Sequence, residues 1–209
     1  MSIRIFLGLA FCFAFNMLAT AADAPRIVVF GDSLVAGYQL PQGAGFVGRL
    51  QAKLDERNIK AKIIGAGVSG DTTSGGLARL DWSIGPDADA VILELGANDA
   101  LRGLPAASSR DNLDKMLKRL KERDLPVLLA GMVAPPNMGE AYGDAFNTIY
   151  PDLAEEHDAL LYPFFLDGVA ADPTLNLDDG IHPNAKGIDV IVERILPKVK
   201  ALIARTKNQ

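Results

Sequence analysis

The chain has 209 residues, of which 49% are apolar and 22% charged, and a formal net charge of −5. That length holds one ordinary globular domain with a sizeable core, and neither a disordered chain nor a Pro/Gly-rich fibre has this composition. The acidic balance and the lack of any basic run exclude a dedicated nucleic-acid binder; the single cysteine, Cys12, excludes an intramolecular disulfide, and two histidines exclude a three-histidine metal site.

Residues 1–24 carry Arg4, then an apolar stretch from Ile5 to Ala14 and on through Met17 and Leu18, then small residues. This order predicts a secretory signal peptide, cleaved before Pro25 or slightly earlier, after Ala21 or Ala22. As a membrane anchor the apolar run is too short, and Asn16 interrupts it. Phe11 precedes Cys12 where a lipid-anchor signal wants a small residue. The expected product is one domain, 25–209, exported to the periplasm or secreted, with no membrane span and no cysteine.

The mature region starts with an apolar run at 27–30 that reads as a buried strand ending at Gly31. Phe46, Val47, Leu50 and Leu54 recur at helical spacing and predict a helix over 45–57. A second strand follows at 61–64, closed by Gly65, then a helix over 72–82 with Leu77, Leu80 and Trp82 as its apolar positions. A third strand at 90–95 ends at Gly96, and Leu113, Met116, Leu117 and Leu120 mark a helix over 109–123. A fourth strand is read at 126–130, one helix over 139–155 and a fifth strand at 159–162. Ile188, Val192, Ile195 and Val199 mark the last helix, 184–203, with Pro197 inside it. Apolar strands alternating with helices predict an α/β fold, a three-layer sandwich around a parallel sheet. Ligands of such sheets sit beyond the C-terminal strand ends.

Those ends carry the polar chemistry. Gly31-Asp32-Ser33-Leu34 follows the first strand, a Gly-rich loop from Gly65 to Thr72 the second, and Gly96-Ala97-Asn98-Asp99 the third; Asp178-Asp179-Gly180-Ile181-His182 precedes the last helix. A serine hydroxyl needs a base to become a nucleophile, and only His182 or His157 can serve near neutral pH. Asp179, three positions before His182, could hold Nδ1 while Nε2 faces Ser33, with Asp178 able to share or take that part. The Asn98 amide and the backbone N–H groups of Gly67 and Ser33 could receive a developing oxyanion. Each residue also has a plainer reading. Ser33 could cap a helix, His182 could brace the last helix, Asn98 could satisfy a turn, and Asp179 could be a helix N-terminal charge. His157, between Glu156 and Asp158, reads as a solvated surface residue.

Taken together, the four blocks resemble the GDSL, or SGNH, hydrolases, over almost the whole mature chain. The resemblance implies Ser33 as nucleophile, Asp179 and His182 as acid and base, and Ser33, Gly67 and Asn98 as the oxyanion hole. It is closest to the bacterial periplasmic thioesterase I, lysophospholipase L1 and arylesterase subfamily. That implies a five-stranded flavodoxin-like sheet, an SGNH-hydrolase-like catalytic domain over 25–209, and no cofactor or metal. One position, Ala66 before the oxyanion glycine, varies among relatives and bears on the hydrogen bonds around that glycine.

The implied activity is serine-dependent hydrolysis of carboxylic esters and acyl thioesters through an acyl-enzyme, with small-molecule aryl ester, acyl-CoA or lysophospholipid substrates. A carbohydrate acetylesterase is the alternative, using the same site. Leu101, Leu104, Met132, Pro135, Met138, Tyr142 and Phe146, on segments expected to rim the strand ends, form a mostly apolar lining that favours acyl or aryl groups over sugars. Gly31-Asp32-Ser33 lacks the spacing of a dinucleotide-binding fingerprint. A non-catalytic binding module would be expected to have lost one of these groups. A monomer is expected.

Overall fold

The computed structural model describes residues 24–206, so the expected signal peptide and Cys12 lie outside the described residues. Five strands, β1 (Arg26–Gly31), β2 (Lys62–Gly67), β3 (Ala90–Glu94), β4 (Val127–Ala130) and β5 (Leu160–Tyr162), form one parallel sheet in the order β2-β1-β3-β4-β5. The helices are α1 (Ser33–Ala36), α2 (Phe46–Glu56), α3 (Thr73–Ser83), α4 (Ala97–Leu101), α5 (Ala106–Glu122), α6 (Glu140–Asn147), α7 (Ile149–Glu156) and α8 (Ala185–Thr206). Helices α2 and α8 pack together on one face of the sheet, while α3, α5 and α7 cover the other, giving the expected three layers.

Strands β1 and β3 are interior to the sheet and apolar apart from Arg26 at the start of β1 and Glu94 at the end of β3, so both faces of the sheet need helical cover. Phe30, Phe46, Phe146, Tyr150 and Phe165 are the largest fully buried side chains, and Phe46 meets Phe165 edge-on at 5.0 Å between centroids. β1 lies between β2 and β3, so successive strands are added in opposite directions on either side of it. A crevice opens at the C-terminal end of such a switch point. The register brings Gly31 level with both Gly67 and Glu94, aligning the three strand ends.

Several elements differ from the sequence expectation. β2 runs on to Gly67, because pairing with β1 continues through both of its glycines. The expected helix over 139–155 is two helices, α6 and α7, joined at Thr148. Pro151 is the reason: it lacks an N–H and its ring would strike the carbonyl four residues earlier, so it is tolerated only in the first turn of a new helix. α5 begins at Ala106, directly after Pro105. Trp82 is 76% exposed, whereas Leu80 is fully buried; two helical residues span about 200°, which turns one of them outward. Among the described residues no helix is long and apolar enough to cross a membrane.

Candidate active site

The first strand delivers its chemistry through a one-turn helix. Asp32 caps α1 by accepting the Leu34 N–H at 3.0 Å, so Asp32, and not Ser33, is the capping residue. Ser33 is the first residue of α1 and 8% exposed. Its carbonyl accepts the N–H groups of Gly37 and Tyr38 at 3.1 and 3.2 Å, which ends the helix after one turn.

The loop before α8 meets this serine. Ser33 Oγ lies 2.9 Å from His182 Nε2, and His182 Nδ1 lies 2.7 Å from Asp179 Oδ2. A carboxylate only accepts, so Nδ1 carries the hydrogen and the bare Nε2 accepts from the hydroxyl. The other oxygen of Asp179 accepts the backbone N–H groups of Ile181 and His182, each at 3.0 Å. Gly180, at φ 72°, supplies the left-handed residue that folds this turn back on itself. Burial pushes the Asp179 carboxyl upward, but the two amides and the imidazole outweigh it and leave the group below the usual carboxylate range. Asp178 is exposed, and Asp179 is the acid that meets the ring.

The loop is held from behind. Leu177 N–H donates to the His182 carbonyl at 2.7 Å, and Asn176 bridges to Pro183. Asn184 caps α8 through the N–H groups of Lys186 and Gly187 and donates to the carbonyls of Thr174 and Asn176. On its open side His182 is covered by the Tyr38 ring, 4.5 Å away between centroids.

The three expected amide donors come from the ends of adjacent strands. Gly67 ends β2 beneath α1, and a Cβ there would collide with the backbone of Val35 and Ala36. Asn98 is the second residue of α4, after β3, and its Nδ2 donates to Asp32 Oδ2 at 3.0 Å. A hydroxyl joined to a carboxylate-held imidazole, beside such donors, can attack an acyl carbon and shed the resulting oxyanion charge onto N–H groups.

Several supporting residues were not expected from the sequence. Arg79, on α3 and 7% exposed, pairs with Asp71 at 2.5 Å and donates to the carbonyls of Gly31 at 2.7 Å and Ala66 at 2.9 Å. It therefore ties the ends of β1 and β2 together, through the carbonyl of the variable Ala66. The sequence does carry a signal: Arg79 falls at helical spacing from Gly75 and Gly76, on the face that must lie close to the sheet. Asp99 is buried and accepts from Thr73 N–H, Thr73 Oγ1 and Ser109 Oγ, fixing α3 and α5 against α4. Glu94, fully buried at the end of β3, accepts the Asp32 N–H at 3.2 Å.

Two residues expected to line the acyl side belong to the core instead. Phe146 is fully buried against Tyr142 and Tyr150, and Met132 is 3% exposed, because Phe146 is the buried side chain of an otherwise largely exposed α6 and Met132 follows the buried end of β4. Leu101 is exposed, while Leu104, Pro135, Met138 and Tyr142 are half-buried. Tyr142 Oη donates to the Leu104 carbonyl at 3.0 Å, joining the two rim segments. His157 is also not the solvated residue expected. Its side chain is 9% exposed and lies 2.8 Å from Asp114 Oδ1, because α7 packs on α5.

A doubly wound parallel sheet that ends in a serine bonded to a carboxylate-oriented histidine defines a hydrolase of the serine type. Residues 29–190 match the GDSL-like lipase/acylhydrolase family, and the chain belongs to it. It is 39% identical over 180 residues to the arylesterase of Vibrio mimicus, covering 86% of this chain and 90% of that protein. It is 35% identical over 196 residues to thioesterase 1/protease 1/lysophospholipase L1 of Escherichia coli K12, covering 93% of each. The crystal structure of AlinE4, an SGNH-hydrolase family esterase, superposes with a TM-score of 0.73 at 46% identity, covering 86% of this chain and 96% of that one.

Proposed function

We propose that this protein is an exported serine esterase that hydrolyses carboxylic esters and acyl thioesters through an acyl-enzyme on Ser33. The observation that carries the reading is the hydrogen-bonded line Ser33–His182–Asp179, at 2.9 and 2.7 Å. Ser33 Oγ attacks the acyl carbon while His182 Nε2 takes its proton. The oxyanion draws on Asn98 Nδ2 and the N–H groups of Gly67 and Ser33. As the tetrahedral intermediate collapses, His182 returns the proton to the departing alcohol or thiol. Water then repeats the sequence on the acyl-enzyme and releases the acid, leaving Ser33 free. The arylesterase and thioesterase names of the relatives support both leaving groups.

The rim supports acyl and aryl substrates over sugars. Of the six exposed large apolar residues among those described, Tyr38, Val68, Leu101, Val133 and Ile181 all follow C-terminal strand ends or sit beside His182; Trp82 stands apart on α3. Apolar surface concentrated around one site marks the place where an apolar group binds. We place residues 1–24 as a cleaved export signal and the mature enzyme in the periplasm or outside the cell, acting as a monomer. Hydrolysis of an acyl series from acetate to palmitate, on matched aryl and thioester leaving groups, tests the activity. Turnover that rises beyond acetate and vanishes in Ser33→Ala is expected. Activity confined to acetylated sugars would overturn the acyl and aryl assignment.

A further inference from the structure

Asp32 makes more contacts than a helix cap requires. It has no exposed surface, and besides the Ala36 N–H that its carbonyl accepts within α1, three hydrogen bonds hold it from three different elements. Oδ1 accepts the Leu34 N–H of α1 at 3.0 Å, Oδ2 accepts Asn98 Nδ2 of α4 at 3.0 Å, and its own N–H donates to Glu94 Oε2 of β3 at 3.2 Å. The cap uses one oxygen. The second reaches across to a residue 66 positions away in the chain.

We infer that Asp32 is the positioning residue for the oxyanion donor Asn98, a role that rests on the hydrolase reading above. A carboxamide rotates about its terminal bond and can present either its oxygen or its NH₂ to the site. A carboxylate accepts and never donates, so facing Asp32 leaves only the NH₂ orientation for Asn98. The Arg102 guanidinium, 3.5 Å from Asn98 Oδ1, favours the same orientation at the other end. One of the two Nδ2 hydrogens is then committed to Asp32, which fixes the plane of the amide and the direction of the second hydrogen. A donor aligned before the reaction loses no reorganisation energy as the oxyanion forms.

The arrangement needs a side chain with acceptors on two sides and little reach, which is what aspartate offers. Asparagine in its place would turn an NH₂ toward either the Leu34 N–H or the Asn98 NH₂, a clash of donors. Serine could still cap Leu34 but has no second oxygen for Asn98. The charged and titratable groups around Asp32 are Glu94 on β3, Asp71 on the loop after β2, Tyr150 on α7 and His182 on the loop before α8. Burial raises the Asp32 carboxyl to about 6, against the lowering effect of the Leu34 amide, Asn98 and His182. It is therefore a carboxylate at neutral pH, the form the contact to Asn98 requires.

The test is a double-mutant cycle on kcat and KM for an aryl ester, using Asp32→Ser, Asn98→Ala and the pair. Asp32→Ser should lower kcat about 10- to 100-fold with KM changed less than about threefold, because the contact acts as charge develops. In the Asn98→Ala background the same change should cost less than about threefold, because the group being positioned is gone. Asp32→Asn should behave like Asp32→Ser on both backgrounds. Losses that multiply independently, or a wild-type kcat in Asp32→Ser, would overturn the inference and leave the esterase reading standing. An active Ser33→Ala would instead remove that reading. A second measurement on the unmutated protein guards against variants that fail to fold: by NMR, one Asn98 side-chain amide hydrogen should exchange with solvent much more slowly than the other. Equal, fast exchange of both would overturn the inference.

Discussion

The ring of Tyr38 lies against that of His182, with centroids 4.5 Å apart and planes inclined by 36°. The same tyrosine donates its backbone N–H to the Ser33 carbonyl at 3.2 Å, so one residue touches both the nucleophile's backbone and the base's ring. An aromatic face beside an imidazolium stabilises it by about 1 kcal/mol at a partly exposed site. Tyr38→Ala should therefore lower kcat about fivefold, and Tyr38→Phe should restore most of it. The melting temperature should barely move, because Tyr38 is 39% exposed. Equal kcat in Tyr38→Ala and the parent would reject this role.

Ser33→Ala should abolish nearly all turnover while leaving the fold intact, because among the described residues the hydrogen bond of Ser33 Oγ goes to His182 and to no structural element of the core. A phosphonate ester should label Ser33 alone. Mass mapping of the label to Ser69 or Ser74 would contradict the assignment.

The acid and base should rank in a definite order. His182→Ala should be the worse lesion and Asp179→Asn the next, since an imidazole without its carboxylate still acts part of the time in the productive tautomer. Asp178→Asn should be nearly silent. His157→Ala should leave kcat unchanged and lower stability by about 1 kcal/mol through the lost Asp114 bond. Steady-state kinetics with thermal melts on the four variants separate these outcomes; a larger loss at Asp178 than at Asp179 would reverse the pairing.

Arg79 joins Asp71 to the carbonyls of Gly31 and Ala66 from a buried position. Arg79→Met leaves Asp71 and both carbonyls without this partner, at a cost of about 3–5 kcal/mol. Arg79→Lys should recover little, because one ammonium cannot span the three acceptors with the fork of a guanidinium. Urea denaturation of both variants measures this, and a loss below about 1 kcal/mol in Arg79→Met would contradict it.

Two buried carboxyls should make the fold weaker as pH rises. Burial lifts Asp32 from 3.8 to about 6, and burial next to Asp32 pushes Glu94 well above its ordinary 4.5. Across that interval the folded chain holds protons that the unfolded chain has released, so stability declines as pH rises from about 4 through about 6 for Asp32 and further for Glu94. The Asp32 share is on the order of 3 kcal/mol. Asp179 acts in the opposite sense: its carboxyl is lowered, so its contribution is present above the usual carboxylate range and is lost as pH falls through it. The urea midpoint should therefore decline between pH 5 and 8, and Glu94→Gln, with no charge to bury, should flatten the decline. An unchanged slope in Glu94→Gln would show that Glu94 does not titrate in this way.

What the sequence alone determined was local. Apolar runs closed by Gly31 and Gly96 declare buried strands because a strand covered on both faces has no polar side to show. Leu113, Met116, Leu117 and Leu120 declare a helix by their spacing. Asp179 and His182 were legible as a pair because they share one turn, and Ser33 because a glycine and an aspartate set it directly beyond a strand. What only the tertiary structure decided was which distant residues meet. The order β2-β1-β3 brings Asn98 to Asp32, Glu94 beneath Asp32, and Arg79 across two strand ends, all contacts between segments far apart in the chain. The same holds for the rim. Met132, Phe146 and Leu101 are equally apolar in the sequence, yet the first two fill the core and the third faces solvent. Hydrophobicity favours burial of all three alike, and only the packing of α6 and the end of β4 determines which of them finds room inside.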